Sequence, residues 1–201
     1  MIRKILLLFV GIGSLFDVCG QEGHVGKEFV VKTINIVIEG KTNVNKFSCK
    51  LKKYVANDTL KISGIWNGKS VEFEGLYLKV PVEGFNCGLP MMTHDFRKLL
   101  KYDAHPELSM KVNEIYLPPS PNLNALENMT ANTMLTIAGE NQLEEVYNSY
   151  LYENDEELIL GGKHELNMRR YQIEPPIKFF GTVVIQEQLD INFEVILQLV
   201  K

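Results

Sequence analysis

The chain has 201 residues, 45% of them hydrophobic and 23% charged, and carries a formal net charge of −4. That size supports one sizeable core, and the acidic balance argues against general affinity for nucleic acid. No glycine-rich phosphate loop, short internal repeat or low-complexity block is present.

Residues 1–20 read as a signal peptide rather than as fold. Arg3 and Lys4 form a basic start, and Ile5 to Phe16 an apolar run too short to cross a bilayer comfortably. Val18 and Gly20 suit a cleavage site before Gln21, which leaves residues 21–201 as a single exported domain, periplasmic or secreted. The rival reading is a lipoprotein anchored at Cys19. It is disfavoured because Val18 stands where a smaller residue is usual. No second hydrophobic span follows.

Residues 29–38 are rich in β-branched types and predict a strand. Phe47, Cys49 and Leu51 alternate with Ser48, Lys50 and Lys52, the period of a half-buried strand. Leu60 to Trp66 predicts another strand, and Asn67-Gly68 a tight hairpin turn after it. Val71 and Phe73 then hold one phase, while Leu76, Leu78, Val80 and Val82 hold the other, so a bulge or bend is placed at Gly75.

Cys87 to Pro106 is the one convincing helix. Gly88 and Pro90 open it with turn chemistry, Thr93 is the expected N-cap, and Asp95 falls in the first turn. Phe96, Leu99 and Leu100 share one face, with Lys98 and Lys101 opposite. A strand follows at Leu108 to Val112, then a long loop over 118–130, and a strand over 131–139. Residues 142–153 alternate less cleanly. Residues 158–168 read as a strand interrupted by Gly161-Gly162, and 171–176 as a loop. At the end, 179–185 and 189–199 flank the polar triplet Gln186-Glu187-Gln188. The last run puts Leu189, Ile191, Phe193, Val195, Leu197 and Leu199 on one face. With roughly eight to ten strands and one helix, the sheet is expected to close on itself to hide its edges.

Catalytic and metal chemistry find little support. His24, His94, His105 and His164 match no zinc spacing. His94 beside Asp95, with Met91 or Met92, is the best metal candidate. The plainer reading is a solvated histidine, an acidic helix start and gap-filling methionines. A Cys87 nucleophile with His94 or His105 as base lacks an orienting third residue. No enzyme activity, metal or cofactor is therefore expected. Cys49 and Cys87 remain after export. They either pair in an oxidising compartment or stay as two buried thiols.

Four stretches resemble the YceI-like family of lipocalin-like periplasmic proteins that bind polyisoprenoid-type lipids. They are Asn43 to Lys50, the helix with Asp95-Phe96, Tyr102 and Pro106, Leu135-Thr136-Ile137 with Gly139, and Phe179-Phe180-Gly181 with the closing hairpin to Leu199. Phe47-Cys49, Cys87-Gly88 and Glu174-Pro175-Pro176 look like the Bacteroidetes branch. One turn departs from the family pattern: Gly139-Glu140-Asn141-Gln142 stands where Gly-Val-Thr-Lys is common.

The resemblance implies a mainly all-β, lipocalin-like antiparallel barrel of about eight strands, with one short helix covering an end. It implies a lipid pocket lined by Phe47, Phe73, Leu108, Met110, Leu135, Ile137, Met168, Phe180, Ile191 and Phe193. From the residues alone the favoured reading of these positions is a packed core, and it is the resemblance that turns them into a pocket. Set against such a barrel the helix reads as a lid. Phe96, Leu99 and Leu100 cover one end, Met91 and Met92 touch the ligand, and Cys87 ties the lid to the strand holding Cys49. The expected partner is a long-chain apolar lipid, for transport, storage or stress protection, with a homodimer as a further candidate. The alternative is an exported interaction module with a filled core and no ligand.

Overall fold

The structure, a computed structural model, describes residues 26–54, 58–67, 69–117, 126–153, 156–178 and 182–200. Its strands are β1 (Lys27–Thr42), β2 (Lys46–Tyr54), β3 (Thr59–Trp66), β4 (Ser70–Glu74), β5 (Tyr77–Pro81), β6 (Glu107–Tyr116), β7 (Leu126–Ile137), β8 (Glu140–Glu153), β9 (Glu157–Asn167), β10 (Ile177–Lys178) and β11 (Val183–Leu199). The helix α1 (Pro90–Leu99) lies between β5 and β6, and 3-10 turns follow β5 and β9. Every ladder among the described residues is antiparallel.

The strands form a barrel-like ring of eight, running β1–β3–β4–β6–β7–β8–β9–β11 and back to β1. Closure comes from the two longest strands, β1 and β11, which pair from Phe29 with Leu199 to Thr42 with Ile185. Two ring strands change partner along their length. β1 pairs with β3 over residues 27–30 and with β2 over 34–41. β6 pairs with β4 at 114–116 and with β5 at 107–111. In that second half of the ring, no ladder among the described residues joins β2 to β5. A single bridge, Lys50 with Asn86, and the Cys49–Cys87 disulfide close the seam instead.

Gly75 separates β4 from β5 and carries out the expected phase change. Its φ is +79°, and a Cβ there would stand 1.8 Å from the Lys61 carbonyl oxygen, so only glycine fits. Val71, Phe73, Leu76, Leu78 and Val80 are all buried across the break.

The interior is not uniform along the barrel. At the end holding the β3–β4 turn, Phe29, Ile62, Phe73, Val112, Ile115, Met129, Leu158 and Leu197 pack together, none more than 6% exposed. Toward the helix end the inward positions Leu135, Ile137, Ile185, Leu189, Ile191 and Phe193 are only half-buried. A second buried cluster caps that end: Val82, Leu100, Ala138, Leu166, Met168, Tyr171 and Ile173.

Several elements differ from the sequence reading. The helix starts at Pro90, with Leu89 at the N-cap and no side-chain cap, so Thr93 and Asp95 lie inside it. Proline is pre-organised for the first helical position, and this outweighs the threonine signal. Thr93 instead accepts from the Cys87 amide and donates to the Leu89 carbonyl. Gly161-Gly162 does not interrupt β9. Gly161 lies between Tyr150 and Glu194 on the neighbouring strands, and a Cβ there would fall 2.2 Å from the Tyr150 ring. The ring crosses the glycine so that its hydroxyl donates to Glu194 Oε2 at 3.0 Å. Burial, helped by that bond, pushes the Tyr150 phenol up to about 12.

Gln186-Glu187-Gln188 does not break β11. The alternation continues through it, and Glu187 is taken up by Arg169 Nε at 2.7 Å. Finally, β7 begins inside the expected 118–130 loop. Asn128 is accommodated there at positive φ (+56°), next to register shifts on both sides of Met129.

Candidate functional site

The half-buried inward residues enclose a cavity of about 630 Å³ in the helix half of the barrel. Ile34, Ile36 and Ile38 of β1, Leu78 and Val80 of β5, and Leu189, Ile191, Phe193 and Val195 of β11 supply much of the wall. The polar side chains along it are few: Thr42, Asn45, Lys46, Asp95, Ser109 and His164.

Alternation builds this wall. On β11 the inward set is Leu189, Ile191, Phe193 and Val195, opposite Leu166, His164, Gly162 and Leu160 of β9. Gly162 leaves room for Phe193, whose ring lies 3.2 Å from where a glycine Cβ would stand. On β7 and β8 the inward pairs are Leu135 with Gln142, Thr133 with Glu144 and Ala131 with Val146.

The lid reading is matched by geometry. Met92, Phe96 and Leu99 of α1 all line the cavity, and no side chain of the helix is fully buried. A helix lying on a packed core would bury that face, whereas this one faces a void. Phe96 stacks at a tilt on Phe85, ring centroids 5.3 Å apart. Arg97 donates to the Glu83 carbonyl, and the Tyr102 hydroxyl to Glu83 Oε2 at 3.1 Å. The disulfide anchors the other end of this segment, since Cys87 is joined to Cys49 of β2, itself a wall residue.

Of the residues singled out in the sequence, Phe47, Met91, Met92, Phe96, Leu99, Leu108, Met110, Leu135, Ile137, Met168, Ile191 and Phe193 lie along this one cavity. Phe73 does not. β4 pairs with the far part of β6, which places Phe73 in the packed half, 5% exposed. Phe180 lies outside the described residues. Sequence reading missed the β1 isoleucines, although their two-residue spacing is visible. It also missed Leu78 and Val80, and it missed His164, which no local pattern marks.

His164 belongs to a buried polar group on the inward face. Glu144 Oε1 accepts from the Tyr171 hydroxyl at 2.9 Å, and Glu144 Oε2 from Arg170 Nη1 at 2.6 Å. His164 Nε2 stands 3.5 Å from Glu144 Oε2 and has no hydrogen-bond partner among the described residues. Burial lowers the His164 pKa below the ordinary imidazole value and outweighs the neighbouring Glu144 charge, which acts the other way. Burial also pushes the Tyr171 phenol up. Among the described residues no cluster of three or more His, Cys, Asp or Glu is disposed to hold a metal ion. No described helix is long and apolar enough to cross a membrane.

No protein-family model matches the chain, and no curated protein matches it significantly. Solved structures do. A polyisoprenoid-binding domain from Saccharophagus degradans, implicated in plant cell wall breakdown, superposes with a TM-score of 0.60 at 7% identity, over 87% of this chain and 99% of that one. BcnA of Burkholderia cenocepacia superposes with a TM-score of 0.57 at 13% identity, over 81% and 95%. The Campylobacter jejuni YceI protein gives a TM-score of 0.49 at 10% identity, over 92% and 94%. At such identities the likeness is one of fold. The fold is the one that the sequence resemblance implied, and a solved polyisoprenoid-binding domain shares it.

Proposed function

We propose that the chain is an exported YceI-like protein that holds a long apolar lipid, of polyisoprenoid or fatty-amide type, inside its barrel, for transport, storage or stress protection. The observation that carries this reading is the cavity. The same barrel is packed solid at one end and hollow at the other, and the hollow end is walled almost entirely by aliphatic and aromatic side chains beneath a helix. A module with a filled core would have no reason to leave about 630 Å³ empty there.

The magnitudes suit a lipid. At about 30 Å³ for a group the size of a water molecule, 630 Å³ takes roughly twenty methylene-sized groups. Burying on the order of 500 Å² of such a chain at about 25 cal/mol/Å² yields roughly 12 kcal/mol before costs. Ordering and association remove a large share, leaving micromolar affinity or better. Such binding needs no catalytic group. Export is supported by the basic and apolar character of residues 1–20 and by the Cys49–Cys87 bond, which suits an oxidising compartment. The fold shared with a polyisoprenoid-binding domain supports the ligand class.

The test is native mass spectrometry of the protein purified from its own host, followed by extraction and identification of any bound mass. A co-purifying long-chain apolar lipid is the expected result. A protein that carries nothing, and takes up no geranylgeraniol from detergent solution, overturns the reading.

A further inference from the structure

The cavity has a mouth, and its rim is unusual. Residues that line the cavity and are also largely exposed mark where it opens. These include Val44 in the β1–β2 turn, Leu89 at the start of α1, and Met91 in its first turn, exposed by 69%, 64% and 78%. Two separate segments, the β1–β2 turn and the start of α1, thus bring three bare apolar side chains to one opening. We propose that this rim is a docking surface for a lipid bilayer, through which the ligand passes between membrane and barrel. For its purpose the inference rests on the lipid-binding reading above.

A bilayer fits better than a protein partner for two reasons. The first is area: three side chains present a few hundred Å² at most, against about 800 Å² per partner in a standard stable protein interface. Shallow insertion into the boundary between headgroups and acyl chains asks for much less. The second is continuity. The rim continues into the apolar wall through Met92 and Phe47. A ligand leaving at that point passes from one apolar phase to another and never crosses water. Attraction between charges has little part in it. Lys46 and Asp95 also line the cavity and offset one another, so docking is driven by apolar insertion and not by anionic headgroups.

The test is flotation with vesicles of phosphatidylethanolamine and phosphatidylglycerol, using full-length mature protein without added ligand. The wild type is expected to float with the vesicles, with little change when salt is raised or when phosphatidylglycerol is left out. The triple variant V44D/L89D/M91D changes only exposed positions, and its bound fraction is expected to fall roughly tenfold. The double variant L143D/Y147D removes two exposed apolar residues from the outer side of β8, 53% and 55% exposed and away from the mouth, and is expected to float like the wild type. In a second measurement, wild type loaded with geranylgeraniol from detergent is mixed with acceptor vesicles. Transfer through docking speeds up as vesicle concentration rises. Absence of flotation, flotation of the triple variant equal to wild type, or transfer independent of vesicle concentration overturns the inference. Failure to load from detergent refutes the lipid-binding reading instead, and flotation of the unloaded protein still decides whether the rim docks.

Discussion

A hollow barrel and a solid one respond in opposite ways to a larger side chain on the inner wall. Leu135 of β7 is the position to use. It lines the cavity, is half-buried, and lies between Met110 of β6 and Gln142 of β8. Replacing its isobutyl group with the indole of Leu135→Trp fills on the order of 60 Å³ at protein packing density, about a tenth of the 630 Å³ available. At about 30 Å³ per group, the ligand loses room for roughly two methylenes. Each methylene is worth about 0.8 kcal/mol, so binding weakens by about 1.6 kcal/mol, on the order of tenfold in Kd. Folding stability should change little, because the new ring enters empty space. A solid interior predicts the reverse: overpacking costs about 1–3 kcal/mol of stability, and there is no affinity to lose. The assay pairs guanidinium unfolding of the ligand-free protein with competition binding of geranylgeraniol against a fluorescent fatty probe. A variant destabilised by more than about 1 kcal/mol, with unchanged binding, refutes the cavity argument.

The same logic extends to the lid, the seam and the buried histidine. Leu99→Asp places a carboxylate on the cavity face of α1 and should cost about 2–4 kcal/mol of stability or abolish lipid retention, whereas exposed His94→Ala should stay within about 0.5 kcal/mol by both measures. Similar small effects from the two would count against the lid. The double change Cys49→Ser with Cys87→Ser opens a loop of sequence separation 38 and should lower stability by about 4 kcal/mol in the chain-entropy model, read as a fall in denaturant midpoint that reduction of the wild type reproduces. His164 has its pKa lowered in the fold, so the unfolded chain takes up this proton first as pH falls. Stability should therefore decline from about pH 6.5 downward to the folded-state pKa, and His164→Gln should flatten that part of the profile. The charges of Glu144, Arg170 and Glu165 and the Glu145 backbone also act on the imidazole, so the comparison is made against the same background in both proteins. A His164→Gln profile that matches the wild type would remove His164 as the cause.

Much of the fold was legible because the strands obey simple rules. Leu189 to Leu199 alternates, and the structure turns that face inward. Leu76, Leu78 and Val80 shift phase after Gly75, and the glycine is the break. What misled was local chemistry whose partner lies far off in sequence. Gly161 looks like a strand breaker until Tyr150 is laid across it from the next strand. Glu187 looks like a turn residue until Arg169 is seen against it, and Thr93 gave way to the proline three residues earlier.

The site was less legible than the fold, for a reason particular to this barrel. Inward alternation identifies the inner face but not which half of it is filled. Phe73 and Phe193 are alike in pattern, yet one is packed and the other faces a void. The difference is set by β1 and β6, which trade partners midway. Past that point the ring is completed by β2 and β5, and these two do not pair. The missing ladder is replaced by residues 82–89, the segment that leads into α1, held by the Lys50–Asn86 bridge and the disulfide. Wall and lid are therefore one piece of chain. A helix that closed an already complete barrel would be free to swing away. Here, displacing α1 pulls on the seam, and the cross-link resists that pull. Opening of the mouth therefore falls to the exposed side chains of Val44, Leu89 and Met91 and not to the helix backbone, whose first turn Thr93 ties to Cys87 and Leu89 and the disulfide ties to β2.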